Sequence, residues 1–76
     1  MEAETAYNQG NFDKALGLYQ ELSEQDPDDA SLHWRLGTVY FSKGNKAKVR
    51  KEIKELRRLD HAELASDLEQ LLGKQD

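Results

Sequence analysis

Shifted by 34 residues, the chain falls onto itself. Gly10-Asn11 lands on Gly44-Asn45, Lys14 on Lys48, Glu21 on Glu55, Leu22 on Leu56 and Asp26 on Asp60, six identities within positions 9–29. A chain that restarts in this way is built from like supersecondary units, and each unit buries its apolar face against a neighbour. Within each unit the apolar residues step with helical spacing. Ala15, Leu18, Tyr19 and Leu22 share one stripe, as do Leu32, Leu36, Val39 and Tyr40, then Val49, Ile53 and Leu56. Leu64, Leu68, Leu71 and Leu72 form a last set. No segment alternates with a period of two, so strands are not expected and the fold class is all-α.

The breaks between ladders are equally legible. Gly10 and Gly44 each suit the left-handed end of one helix, and the asparagine after each can cap the next. Pro27, the only proline, sits among Asp26, Asp28 and Asp29; it ends a helix at the residue before it, and the aspartates favour a new helix start. Asp60 with Glu63 reads as a capping box opening the last helix, with His61 as its first residue. Five helices are predicted, over about residues 2–8, 12–25, 30–42, 46–58 and 61–72. They should pair antiparallel, burying Leu16, Tyr19, Leu22, Leu36, Tyr40, Ile53, Leu56 and Leu68.

A period of 34 residues and these residues together resemble the tetratricopeptide repeat (TPR) family. Ala15-x3-Tyr19 followed by Pro27 is similar to the second half of one repeat, and Leu36-Gly37-x2-Tyr40 to the first half of the next. Gly37, costly in a lone helix, fits the family's need for close helix approach. The departures are His33 where tryptophan is preferred, with Trp34 one place later, Lys46 opposite Phe12, Val49 for alanine and His61 for proline. The resemblance covers about residues 2–63. It implies an α-solenoid fragment in one domain, 1–76: a shortened first repeat at 1–29, a second repeat at 30–63, and a capping helix and tail at 64–76.

Chemistry-bearing constellations are sparse. The chain has no cysteine, which excludes disulfides and cysteine metal sites. His33 and His61 lie in different helices without an obvious shared partner, so each reads as structural and no catalytic residue is expected. Asp26, Asp28 and Asp29 lack the glycine and closing glutamate of an EF-hand loop, so no metal is expected, and single glycines cradle no phosphate. No cofactor and no enzymatic activity are predicted. The start Met1-Glu2-Ala3-Glu4 lacks the basic and apolar regions of a signal peptide, and no apolar run could span a bilayer. A soluble, cytoplasmic domain is the expectation.

Charge is distributed unevenly. Residues 1–29 hold eight acids against Lys14, net −7, whereas 43–58 hold eight cations against Glu52 and Glu55, net +6, within a chain of formal net charge −4. Two binding modes follow. The resemblance implies a protein–protein interaction module, a scaffold or adaptor whose concave groove receives a peptide or helix of a partner. Its lining would be Glu4, Tyr7, Asn8, Trp34, Arg35, Thr38, Phe41 and Ser42, with Trp34 and Phe41 two turns apart as an aromatic strip or as core. Thr38 stands where the family's carboxylate-clamping asparagine would be and the lysine is absent, so a terminal carboxylate is not the expected ligand. The alternative is a nucleic-acid or acidic-surface binder using Lys48, Arg50, Lys51, Lys54, Arg57 and Arg58 of the basic helix. Against it, the domain is acidic overall, and Lys51 and Lys54 lie at helical spacing from Glu55 and Arg58, as on a solvated face. Because roughly three repeats make a stable stack, the end before Ala3 and Ala6 should expose part of a pairing face. Neighbouring repeats of a longer chain, then a homodimer, are the expected ways to cover it.

Overall fold

The computed structural model describes residues 1–73 and contains five helices. They are α1 Glu2–Asn8, α2 Phe12–Gln25, α3 Ala30–Ser42, α4 Lys46–Arg58 and α5 Ala62–Gly73. No strand occurs among the described residues. The tail expected at 74–76 lies outside them.

Short turns fold each helix back on the one before. α2 packs on α1, α3 on α2, α4 on α3, and α5 lies against both α3 and α4. The result is a slab 29 × 26 × 17 Å, whose short dimension admits about two helix diameters. Its core is one cluster to which every helix contributes, from Ala3 and Ala6 through Ala15, Tyr19, Leu36, Val39, Val49, Ile53 and Leu56 to Leu68. Tyr19, Val39, Val49, Leu56 and Leu68 are the largest side chains withdrawn wholly from water. Each is worth about 1.5–3 kcal/mol in transfer free energy. Leu16 and Leu22, expected inside, are only half-buried, because the α2 stripe that faces the core is centred on Ala15 and Tyr19.

Three corners share one construction. After α1, Gly10 adopts φ 79° while its N–H bonds to the Tyr7 carbonyl and that of Asn11 to Ala6. After α3, Gly44 adopts φ 78° with the same bonds to Phe41 and Tyr40. This is the Schellman ending, which satisfies the orphan carbonyls of the last turn. Asn11 and Asn45 then cap α2 and α4, each side chain accepting the N–H of the residue three ahead, Lys14 and Lys48. The third copy, after α4, corrects the sequence reading. Asp60 is not a helix N-cap: its φ is 62°, and the N–H groups of Asp60 and His61 bond to Arg57 and Leu56. It therefore occupies the left-handed position held elsewhere by glycine, and α5 begins at Ala62, after His61.

The remaining corner, between α2 and α3, is different. Asp26, restricted by the following proline, takes an extended φ of −141°. Asp29 caps α3 by accepting from the N–H and hydroxyl of Ser31. The Ser31 hydroxyl, outweighing slight desolvation, holds the Asp29 carboxyl below its ordinary value.

Gly37 lies where α3 meets α5. An added Cβ would sit 2.4 Å from Leu68 Cδ1, so the absence of a side chain is what admits Leu68. Ala3 and Ala6 are buried, and the one exposed large apolar residue among the described ones is Met1. The N-terminal end thus shows less apolar surface than expected. No described helix is long and apolar enough to cross a membrane.

Candidate functional site

The residues expected to line a groove lie on α1 and α3, and side-chain contacts join the two helices there. Arg35 reaches Glu4 at 3.8 Å, and the Tyr7 hydroxyl lies 3.3 Å from the Ser42 hydroxyl. Tyr7 also packs against Phe12 at 5.4 Å between ring centres. Arg35 donates to the Tyr19 hydroxyl at 3.4 Å, its guanidinium 5.9 Å from the Tyr19 ring and 6.0 Å from that of Trp34. Such contacts orient the arginine more than they stabilise, since the Glu4 pair is largely exposed. Thr38 turns its hydroxyl back onto the Arg35 carbonyl at 2.7 Å, within α3. Asn8 is exposed on the last turn of α1.

Trp34 and Phe41 are both half-buried and packed against the core. The Trp34 indole N–H is shielded from water and meets no acceptor among the described residues. A buried donor left in that state costs about 1–3 kcal/mol.

The basic residues divide into two groups. Arg57 pairs with Glu69 of α5 at 2.5 Å, and Arg58 with Glu55 at 2.8 Å and with Asp28 at 3.6 Å. Lys48, Arg50, Lys51 and Lys54 are exposed and have no ion-pair partner among the described residues.

One ion pair was invisible in the sequence. His33 Nδ1 lies 2.7 Å from Glu52 Oε1 and its Nε2 lies 2.7 Å from the Pro27 carbonyl oxygen. Both side chains are buried. A carbonyl only accepts, so Nε2 donates to Pro27, and beside an ionised carboxylate Nδ1 donates as well. Burial opposes that charge, but the Pro27 carbonyl and the Glu52 carboxylate outweigh it and hold the imidazole above 6.5. His33 therefore does more than pack: one imidazolium ties the α2–α3 corner to α4. The available signal was the register of Glu52, which lies between Val49 and Leu56 on the buried stripe of α4.

Among the described residues no three His, Asp or Glu side chains gather as a metal-binding set. Comparison with protein families matches a model described as tetratricopeptide repeat to residues 1–63. No match was found among curated proteins or solved structures.

Proposed function

We propose, from the premise that the chain belongs to the tetratricopeptide repeat family, that its α1–α3 face is a groove for a peptide or helix of a partner protein. The family implies a protein–protein interaction module in general, and its repeats are generally non-catalytic. In this reading residues 1–29 are a shortened first repeat, 30–63 a second, and α5 a cap. The domain serves as the scaffold or adaptor part of a larger assembly.

One observation carries the groove. The side chains of Tyr7 and Ser42, and of Glu4 and Arg35, meet across α1 and α3, so residues far apart in sequence form one continuous surface. Half-buried Trp34 and Phe41 supply rigid apolar area at little entropic cost, the composition of binding anchors. The indole N–H, lacking an internal acceptor, gains a hydrogen bond if it turns toward a partner's carbonyl.

The test is Trp34→Ala, with the fold checked by circular dichroism and partner capture measured in parallel. Loss of capture by a folded variant is the expected outcome. Undiminished capture would end the groove reading.

A further inference from the structure

Beyond that groove, α4 and α5 enclose a second surface. An open cleft of about 410 Å³ is lined by Arg50, Ile53 and Lys54 of α4 and by Glu69, Leu72 and Gly73 of α5. Each triple is spaced i, i+3, i+4, so two helical stripes face each other across a trough. Its floor is apolar, formed by Ile53 and half-buried Leu72, and its α4 rim carries Arg50 and Lys54. The acid opposite, Glu69, is engaged by Arg57.

The charge of α4 is unfavourable at its N-terminal end, although Arg57 and Arg58 suit its last turn. Seven of its thirteen residues are cations, while Glu52 is held under His33 and Glu55 pairs with Arg58. No acid occupies the first turn, and Lys46 and Lys48 stand at the end where the helix dipole is positive. Lys46–Arg50, Arg50–Lys54 and Lys54–Arg58 are like-charge pairs at i, i+4, a spacing that destabilises a helix. A sequence that keeps a locally unfavourable arrangement beside an open cleft has the pattern of a functional site.

We propose that this α4–α5 cleft docks a short acidic amphipathic helix of another protein, its acids on Arg50 and Lys54 and its apolar residues on Ile53 and Leu72. Arg50 and Lys54, unpaired among the described residues, select for acid, the apolar floor selects against a purely charged polymer, and the two stripes suit a third helix laid between them. A nucleic acid would use the cations and leave the apolar floor uncovered. A second copy of this chain offers the right charge in residues 1–29 but the wrong shape. Its α1 turns Ala3 and Ala6 inward, and Met1 is the one exposed large apolar side chain among the described residues.

The experiment pans the whole domain against a displayed library of random peptides of about 16 residues, roughly four helical turns. Enriched peptides are expected to be acidic with apolar residues at i, i+3, i+4 or i+7. Their affinity should fall about tenfold or more for Arg50→Glu/Lys54→Glu, and should also fall for Leu72→Asn. Trp34→Ala should leave it unchanged, which separates this site from the α1–α3 groove. The charge-reversed variant should melt at or above the parent's temperature, since it relieves repulsion within α4. Four results would each overturn the proposal: no enrichment, enriched peptides without acid, binding indifferent to the reversal, or an oligonucleotide displacing the peptides with steep salt dependence. Self-association of the domain that disappears on the reversal would also overturn it, assigning the cleft to a second copy.

Discussion

Gly37→Ala tests the tightest point of the fold. Two effects oppose each other at this position. Alanine is the better helix former by about 1 kcal/mol, which favours the variant. Its methyl, however, would stand 2.4 Å from Leu68 Cδ1 and 3.0 Å from Cδ2, where carbon atoms settle at about 3.5–4.0 Å. Leu68 has no exposure and cannot swing into water, so α5 must shift or the leucine must leave its rotamer. Overpacking of this kind costs about 1–3 kcal/mol. The net expectation is a loss of up to about 2 kcal/mol, against roughly 4–11 kcal/mol of total stability for a chain of this length. Leu68→Ala alone should cost about 2–5 kcal/mol. In that background the clash is gone, so adding Gly37→Ala should stabilise by about 1 kcal/mol. The sign of one substitution therefore reverses with the other, and the coupling equals the overpacking energy. Urea unfolding of the four proteins, followed by helical circular dichroism, measures it. Additive effects within about 0.5 kcal/mol would refute the close α3–α5 approach. A stabilised Gly37→Ala single variant would do so as well.

The buried imidazolium gives a pH dependence of definite sign. His33 is held above 6.5, so its contribution to stability is fully present below 6.5 and is lost as pH rises through the folded value. The urea midpoint should fall as pH rises from 6.5 through the raised folded value, and Glu52→Gln should flatten that slope. Glu52→Leu leaves the imidazole buried without its carboxylate and should cost about 3–5 kcal/mol at pH 6, read from the same titrations. Asp60→Gly should relieve the left-handed strain and raise the melting temperature by about 2–6 °C. Gly44→Ala should lower it by about 4–8 °C, although its Cβ meets nothing within 4 Å, because the penalty lies in the backbone alone.

Glycine announced the corners at 10 and 44, since it alone takes a positive φ without strain, and Pro27 announced the corner between α2 and α3. The four apolar ladders then located α2 to α5, and the Gly10 break bounded α1. Asp60 misled because aspartate is a strong N-cap and only secondarily tolerant of left-handed backbone; its place in a third Schellman ending depends on where α4 stops. The His33–Glu52 pair escaped because periodicity counts apolar residues, so a glutamate in the buried register of α4 looks like a gap. The α1–α3 surface was legible only through family resemblance. Its defining contacts, Tyr7 with Ser42 and Glu4 with Arg35, join residues more than thirty positions apart. The α4–α5 cleft needed the structure as well, because a run of cations does not reveal which of them are already neutralised.

The corners after α1, α3 and α4 are made by backbone hydrogen bonds, but the corner between α2 and α3 is gripped by a side chain. The Pro27 carbonyl, at the α2–α3 corner, is held by the same ring that holds Glu52 on α4. The rotation of the first helical hairpin against the second is thus referred to positions 33 and 52. In a solenoid that rotation, repeated, is the superhelical pitch. Substitutions at 33 and 52 can therefore alter the curvature of an array containing this unit while each hairpin keeps its internal shape.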